Sequence, residues 1–263
     1  MELAKGQVVQ IDLNADMGEG FGAYSIGHDE QLLGIVTSAN VACGFHAGDP
    51  AIMHRLSMLA RERGVGLGAH PGFDDLWGFG RRQITMSARD LEYLVAYQTG
   101  AMQVFAAYSG APVRHVKAHG ALYNMAAKDE AYAGAIARAV KTAGAGLILV
   151  GLPESEMQKA AEKVGLAFAR EGFCDRQYRE DGSLVPRSVQ GSVIGDPGAA
   201  AQQALRFAVD SEVVAANGAR IKVQVDTLCV HGDEPGAVSV ASAVRAALEG
   251  AGVKLAPMLQ AQA

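Results

Sequence analysis

Side chains suited to catalysis or binding fall at the ends of short apolar segments along this chain of 263 residues. Imidazoles can move protons or bind metal ions, carboxylates can bind metal ions or orient water, and lysine and arginine can hold anions. Six separate segments contribute such groups, which favours one common site over scattered sites. The candidates are Asp12, Asn14, Asp16, His46, His70, Lys117, His119, Asp175, Arg176, His231 and Asp233.

The segment DLNADMGEGFG at residues 12–22 follows the first apolar run. Asp12 and Asn14 are two residues apart, so they share one face of a strand as it ends. The pair can orient a water molecule, hold a metal ion or accept a proton, and we predict that Asn14 binds substrate; the alternative is a solvated strand end before a glycine turn. The G-x-G-x-x-A pattern at 18–23 resembles a dinucleotide-binding loop, but no strong helix follows directly and no acidic residue ends the second strand.

Two histidines lie at or just after the ends of the second and third apolar segments. His46 lies between glycines in CGFHAGDP (43–50), where its ring can approach a ligand and coordinate it or accept a proton. His70 opens a long loop that ends in Arg81 and Arg82. We predict that His70 and the two arginines bind substrate, because a guanidinium offers a planar fork to a carboxylate or a phosphate. One of the two arginines can instead be a surface ion-pair partner.

The segment VKAHGALY at residues 116–123 is the most informative. Lys117 and His119 point the same way from one strand, toward the interior of a closed barrel. A buried lysine without a role is unfavourable, so we predict that Lys117 binds an anion and that His119 relays a proton. Core packing is the favoured role of Tyr123.

The last two polar segments are less specific. Asp175 and Arg176 either contribute to the site or pair only with each other or with neighbours. Both remain candidates, and Arg176 is predicted to bind substrate. His231 follows the final long apolar segment and is also predicted to bind substrate, whereas Asp233 is predicted to cap the next helix.

Seven apolar or β-branched segments alternate with helical patterns, which predicts βαβ units and one α/β domain over residues 1–263. Polar groups at the ends of six strands favour a closed barrel over an open doubly wound sheet. Asp49 and Ser87 are predicted to cap helices. The predicted strands are Val8–Leu13, Ser38–Cys43, Val65–His70, Val113–His119, Leu147–Gly151, Leu166–Glu171 and Val223–Val230, and the later helices are Asp129–Ala143, Glu154–Val164, Asp196–Ala216 and Pro235–Glu249.

Composition narrows the class of protein. Apolar residues make up 49% and charged residues 19% of the chain, a balance typical of a fold whose strands are buried on both faces. The net charge of -5, without a block of Lys and Arg, argues against a nucleic-acid partner. The three cysteines form no C-x-x-C pair, and the N-terminus lacks the long apolar core of a signal peptide. We therefore predict a cytoplasmic protein with no membrane partner.

Taken in order, these segments resemble the LamB/YcsF family, whose members are known as the A subunits of 5-oxoprolinase. The resemblance covers nearly the whole chain, with two departures: Ala118 stands where proline is expected, and Cys174 where alanine is expected. The motifs that carry it are D-L-N-x-D-x-G-E from Asp12, S-A-N-x-A-C-G-F-H-A-G-D-P from Ser38, G-A-H-P-G-x-x-D-L-x-G-F-G-R-R from Gly68, H-G-A-L-Y from His119, D-R-x-Y from Asp175 and C-V-H-G-D from Cys229.

The resemblance implies a distorted (β/α)7 barrel, TIM-like and of the glycoside hydrolase and deacetylase type. It also implies ATP-dependent cleavage of 5-oxo-L-proline to L-glutamate, with ATP as co-substrate and with partner subunits B and C. On that basis we predict that the amide oxygen is phosphorylated, that water attacks the activated carbon and that phosphate leaves. Lys117 and an arginine would stabilise the developing charge. His46 or His119 would move protons, and Asp12 would position the water or a histidine.

Two other functions remain open from the sequence. One is a metal-dependent deacetylase or amidohydrolase in which Asp12, His46 and His70 hold a divalent ion, although the first strand has no H-x-H pair and the second motif no H-x-x-x-H. The other is a non-catalytic subunit that binds substrate for its partners. The chain has no G-x-x-x-x-G-K-[ST] loop, so any ATP site is of another kind or is shared with a partner. A homo-oligomer is also compatible with the sequence.

Overall fold

Strands and helices alternate along the chain in the computed structural model, which describes residues 9–233 and 236–258. The strands are β1 (Gln10–Met17), β2 (Ser38–Ala42), β3 (Gly66–His70), β4 (Val113–Lys117), β5 (Ile148–Gly151), β6 (Ala167–Phe173), β7 (Glu212–Val214), β8 (Arg220–Lys222), β9 (Thr227–Val230) and β10 (Lys254–Leu255). The helices are α1 (Asp29–Leu32), α2 (Pro50–Arg63), α3 (Ala88–Ser109), α4 (Gly120–Ala126), α5 (Glu130–Ala143), α6 (Glu156–Lys163), α7 (Pro197–Leu205) and α8 (Ala237–Gly250).

Seven of these strands, β1 to β6 and β9, form a closed parallel barrel with the helices around it. The ring closes because β9 pairs with β6 on one side and with β1 on the other. β7 and β8 form a separate antiparallel pair, and β10 pairs with the first two residues of β1. The prediction of a distorted seven-stranded β/α barrel is confirmed.

The first strand alternates between an apolar and a polar face. Every second side chain of β1 packs in the main apolar core. The side chains between them, Asp12, Asn14 and Asp16, point into the barrel and bond to polar side chains of neighbouring strands. The predicted end of this strand at Leu13 is therefore wrong: the polar residues after it continue the alternation and find partners inside the barrel.

A glycine in β3 makes room for this polar interior. A Cβ atom at Gly68 would lie 2.1 Å from Nε2 of His115 in β4. That nitrogen is 2.7 Å from Oδ1 of Asn40 in β2. The imidazole thus reaches across the strand that separates β2 from β4, which any larger residue at position 68 would prevent.

The predicted helix caps are present. Asp49 accepts a hydrogen bond from the backbone N–H of Ile52 at 2.9 Å, and Pro50 stands in the first turn of α2. Ser87 accepts one from the backbone N–H of Asp90 at 3.1 Å and begins α3. These caps fix the start of both helices. They therefore also fix where the two preceding loops, which carry candidate site residues, end.

Two boundaries in the C-terminal third differ from the prediction. The helix predicted over Asp196–Ala216 ends in a π-helical turn at Asp210, and β7 follows it. Ser211, with a left-handed φ of 50°, breaks the helix at that point. The strand predicted over Val223–Val230 begins only at Thr227.

The final helix, α8, begins at Ala237, and the predicted start at Pro235 lies outside the described residues. No helix in the described ranges combines the length and the apolar character that a bilayer span requires.

Candidate functional site

A cavity of ≈ 740 Å³ opens at the carboxyl ends of the barrel strands. Asp16 reaches it from β1, Lys117 from β4, and His231 from the residue after β9. Arg81, in the loop after β3, and Arg176, in the loop after β6, line it as well. Polar residues that are far apart in the sequence therefore meet at one cavity.

Three imidazoles and one carboxylate lie together beside this cavity. Glu19, His46, His70 and His119 are named the histidine cluster; one ligand atom of each lies within 4.8 Å of those of the others. Nε2 of His70 is 3.0 Å from Nδ1 of His119, which is 3.3 Å from Oε1 of Glu19. The rings of His46 and His119 stack with their centroids 3.8 Å apart. All four side chains are buried, and a set of this kind can hold a metal ion.

The loop after β3 covers the histidine cluster. The backbone carbonyl of Phe79 accepts a hydrogen bond from Nε2 of His119 at 2.8 Å. Gly80 has a left-handed φ of 63°, and a Cβ atom there would lie 2.7 Å from Cβ of His46. Glycine at this position satisfies both the backbone conformation and the close contact, and so holds the loop against the imidazoles.

Burial determines the protonation of three members of the histidine cluster. It lowers the pKa of His46 and of His119 well below the usual range, so both rings are neutral. It also raises the pKa of Glu19 well above the usual range, and the carboxylate of Asp16 adds to that increase. These imidazoles therefore offer unprotonated nitrogens.

Lys117 is buried between two carboxylates. Its Nζ atom lies 2.9 Å from Oδ1 of Asp16 and 2.8 Å from Oε1 of Glu171. Burial alone would lower the pKa of Lys117, but the two carboxylates hold it well above its usual value. The protein itself therefore balances this charge and fixes Asp16 at the cavity wall. Binding of a substrate anion by Lys117 stays a prediction.

His231 and Asp175 form an imidazole–carboxylate pair at the cavity wall. Nδ1 of His231 is 2.9 and 3.0 Å from the two oxygens of Asp175, and the backbone N–H of His231 donates to the same carboxylate at 2.7 Å. Although burial opposes ionisation, His231 holds the pKa of Asp175 below its usual value. Because Asp175 holds Nδ1, Nε2 is the ring nitrogen left to act as an acid or a base.

Asp12 lies deeper in the barrel than this cavity. It accepts hydrogen bonds from the hydroxyl groups of Thr37, Ser38 and Thr227 at 2.7, 2.6 and 2.5 Å. In β1 it precedes Asp16 by four residues, which is about 13 Å along a strand. Its position gives no support to the predicted role in orienting a water molecule at the site.

The predicted metal set of Asp12, His46 and His70 is not brought together. Glu19 and His119 are the groups that lie beside His46 and His70. The error follows from the strand boundary, because β1 continues past Asp12 to Met17.

Asn14, predicted to bind substrate, is buried in the middle of the barrel. Its amide nitrogen donates to Oγ1 of Thr227 at 2.7 Å and to Oε1 of Glu171 at 3.2 Å. Its oxygen accepts from Nδ2 of Asn40 at 2.7 Å. These bonds tie β1 to β2, β6 and β9, and Asn14 is not among the residues that line the cavity.

The two neighbouring arginines have different surroundings. Arg81 lines the cavity and pairs with Asp233. Arg82 pairs with Asp75, with 65% of its side chain exposed, and is the surface ion-pair partner that the sequence left open. The prediction that Asp233 caps a helix is wrong, because Gly236 is the residue that precedes α8.

Arg176 bonds to main-chain carbonyls and, within the described ranges, not to Asp175. Its guanidinium donates to the carbonyls of Val185 at 2.6 Å and Ser192 at 3.4 Å. Burial lowers its pKa to about 10, and the charge of Arg187 adds to that decrease. A cavity wall with several cations favours an anionic ligand. Apart from Lys117, whose charge Asp16 and Glu171 balance, the arginines and lysines of this wall are Arg81, Lys128, Arg176, Arg179 and Arg187.

The sequence-based assignments left three residues of the site without a role. Asp16 is among the candidates and continues the inward alternation two residues after Asn14, a signal that would have given it a role. Glu171, at the predicted end of a strand, is a carboxylate at an inward position, which is also informative. Glu19 lies between two glycines in a turn, and nothing in that local pattern separates it from a solvated loop residue.

Known proteins resemble this chain over nearly its whole length. A sequence profile of the LamB/YcsF family matches residues 11–263. The 5-oxoprolinase A subunit of Rhodopseudomonas palustris is 50% identical over 250 residues, which are 95% of this chain and 98% of that protein. The crystal structure of a lactam utilization protein from Thermus thermophilus superposes with a TM-score of 0.90 at 47% identity, covering 95% of this chain and 100% of that one.

A more distant likeness concerns the fold alone. The catalytic domain of a peptidoglycan N-acetylglucosamine deacetylase from Eubacterium rectale superposes with a TM-score of 0.50 at 11% identity, covering 98% of this chain and 92% of that one. The barrel is thus of the deacetylase type. The family profile and the two close relatives extend over almost the entire sequence, and the chain belongs to the LamB/YcsF family.

Proposed function

We propose that this chain is the A subunit of an ATP-dependent enzyme that opens 5-oxo-L-proline to L-glutamate, and that it carries the hydrolytic part of the reaction. The similarity to a 5-oxoprolinase A subunit supports this substrate and the presence of partner subunits, here taken as B and C. The observation that carries the proposal is the pair of His231 and Asp175 at a cavity that Asp16 and several cations also line. 5-oxoproline is a small anion, which suits such a wall.

The chemistry requires activation of the amide. A lactam amide is resonance-stabilised and resists attack by water. ATP would transfer its terminal phosphoryl group to the amide oxygen and leave as ADP. Water then adds to the ring carbon, the carbon–nitrogen bond breaks, and the nitrogen takes up a proton. Another water molecule displaces phosphate from the resulting acyl phosphate and leaves glutamate.

The cavity residues suggest how these steps are shared. We assign protonation of the leaving nitrogen to His231, since Asp175 fixes its tautomer. Asp16, held by Lys117 at 2.9 Å, would orient the attacking water. Arg176 would hold the substrate carboxylate or the phosphoryl group, and its pairing with two main-chain carbonyls supports a fixed position.

Other predicted roles follow from these positions. Within the histidine cluster, His119 lines the cavity. We propose that His119 or His46 moves protons, as the sequence predicts. We propose that ATP binds on a partner subunit or at a shared surface, because this chain lacks a phosphate-binding glycine loop.

Reconstitution tests the proposal. The full-length chain is mixed with its presumed B and C partners, and glutamate formation from 5-oxoproline is followed with and without ATP, omitting each component in turn. We expect glutamate in the complete mixture alone. Turnover without ATP would favour an ATP-independent amidohydrolase. Undiminished turnover after omission of this chain would remove its catalytic role.

A further inference from the structure

Two rings of the histidine cluster are oriented by main-chain carbonyls. Nδ1 of His70 lies 2.7 Å from the carbonyl oxygen of Lys117, and Nε2 of His119 lies 2.8 Å from that of Phe79. A carbonyl oxygen can only accept a hydrogen bond, so each of these two nitrogens carries a hydrogen. In neutral rings, Nε2 of His70 and Nδ1 of His119 therefore present lone pairs.

Those two lone pairs point at the same small region. Nε2 of His70 and Nδ1 of His119 are 3.0 Å apart. Oε1 of Glu19 is 3.3 Å from Nδ1 of His119, and Oδ2 of Asp16 is 3.3 Å from Nε2 of His70. Acceptor atoms this close repel one another unless a proton or a metal cation lies among them.

His46 adds an independent sign of a missing partner. Its side chain is buried, with 1% exposure, and neither ring nitrogen has a hydrogen-bond partner within the described residues. Oε1 of Glu19 is 3.6 Å from Nε2 of His46, beyond hydrogen-bonding distance. A buried nitrogen without a partner is costly, and folded proteins rarely leave one.

Two arrangements would relieve the contact between the rings of His70 and His119. A protonated His70 would donate to Nδ1 of His119, but it would leave both nitrogens of His46 unpaired. A bound cation would take the facing lone pairs of His70 and His119, an oxygen of Glu19 and, once its ring turns out of the stack with His119, one nitrogen of His46. The second arrangement therefore leaves fewer buried nitrogens without a partner.

We propose that the histidine cluster binds a divalent transition-metal ion of the class that zinc represents. Tetrahedral bonds of about 2.0–2.1 Å place neighbouring ligand atoms roughly 3.3–3.4 Å apart. The separations of 3.0, 3.3 and 3.6 Å in the cluster lie on both sides of that value. Three imidazoles with one carboxylate favour such an ion over magnesium or calcium, which prefer oxygen ligands.

The surroundings fit this assignment. Histidines that bind metal ions commonly donate their other N–H to a main-chain carbonyl or a carboxylate, as His70 and His119 do here. His119 and Asp16 connect the cluster to the cavity, so an ion there would lie next to the substrate. The inference does not rest on the proposed lactam chemistry, because the ion can be detected without substrate or partner subunits.

Metal titration of the full-length chain tests the site. The protein is stripped with a chelator, dialysed and titrated with Zn²⁺ or Co²⁺. We expect about one ion per chain by elemental analysis, a higher unfolding temperature in its presence, and visible absorption from Co²⁺ with nitrogen ligands. His46→Ala should lower the affinity by about tenfold or more. His54→Ala, at an exposed histidine outside the cluster, should bind as the unmodified chain does.

A comparison of metal-free forms separates lost binding from lost folding. We expect His46→Ala and the unmodified chain to unfold at similar temperatures in chelator, and only the unmodified chain to gain stability from Zn²⁺. If the unmodified chain bound neither ion and its unfolding temperature stayed constant, the proposal would be overturned. Wild-type affinity in His46→Ala would overturn it as well.

Discussion

The two ends of the barrel interior both bury polar side chains, but they satisfy them differently. At the amino ends of the strands, the carboxylate of Asp12 accepts hydrogen bonds from three hydroxyl groups. At the carboxyl ends, His46 has no hydrogen-bond partner within the described residues, and Nε2 of His70 faces Nδ1 of His119 at 3.0 Å. Burial of polar groups alone thus does not mark a functional site. Incomplete pairing distinguishes the carboxyl end, where we propose that ligands bind, from the surroundings of Asp12 at the amino end.

The largest expected effect is at the carboxyl end. His231→Gln removes an oriented proton donor, so kcat for glutamate formation in the assembled complex should fall by about 10²–10⁴-fold. Asp175→Asn should lower it as well, because the imidazole loses the carboxylate that fixes its tautomer. The rate is measured with His54→Gln as the control at an exposed histidine. A near-normal rate for both cavity variants would mean that this pair is only structural.

The second prediction concerns the lysine between the two ends. Lys117→Met leaves Asp16 and Glu171 buried without their counter-charge, so the free energy of unfolding should drop by about 3–5 kcal/mol. Lys222→Met is the matched control: Lys222 pairs with Glu212 at 3.3 Å, but its side chain is 78% exposed. That variant should lose about 0–1 kcal/mol. Urea unfolding measures both, and equal losses would contradict the assignment of Lys117 to a buried pair.

A third prediction sharpens the comparison at the amino end. Burial raises the pKa of Asp12 to about 6, and Glu171 adds to the increase, although the three hydroxyl groups oppose it. The folded chain therefore keeps the carboxyl proton of Asp12 up to about pH 6, whereas an unfolded chain releases it near pH ~4. The contribution of this carboxyl group to the free energy of unfolding is complete below about pH 4. It is lost as the pH rises through about 6, a change of about 3 kcal/mol.

Asp12→Asn should remove that pH dependence. The difference in free energy of unfolding between the unmodified chain and the variant is measured by urea unfolding from pH ~3.5 to ~7, and it should shift by about 3 kcal/mol in favour of the variant. Parallel curves would show that the carboxyl group of Asp12 titrates normally. Turnover by this variant near neutral pH should change less than turnover by His231→Gln, because Asp12 lies away from the cavity.

The smallest expected effect separates the two neighbouring arginines. Arg81→Gln removes a cation from the cavity wall, so KM for 5-oxoproline should rise by about tenfold. Arg82→Gln removes an exposed partner of Asp75 and should leave KM unchanged. Steady-state kinetics of the assembled complex distinguish them. An equal rise in both would argue against direct binding by Arg81.

The sequence predicted much of this architecture because local patterns determine it. β-branched and apolar segments identified all seven barrel strands, and the caps at Asp49 and Ser87 followed from local side-chain chemistry. His46, His70 and His119 were selected because each lies at or just after the end of a predicted strand, and parallel strands bring such residues to one end of a barrel. They do lie together.

Other parts of the site depend on contacts that no local pattern encodes. The pairing of His231 with Asp175 joins residues 56 positions apart, and it arises when β9 closes against β6. Glu19 joins the imidazoles because of the path of a glycine-rich turn. Asp12 was misplaced because polar residues normally end a buried strand, whereas this barrel has a polar interior in which the strand continues.

The contacts of Lys117 have a consequence for the order of events during synthesis. One carboxylate partner, Asp16, lies 101 residues earlier in the chain, and the other, Glu171, comes from the sixth barrel strand. The ring also cannot close until the residues of β9, Thr227–Val230, are available to pair with β1. A nascent chain that has left the ribosome only as far as β5 therefore holds a lysine with half of its counter-charge and a first strand with one free edge. We expect the barrel to assemble in a late, cooperative step, after the residues of β9 have emerged.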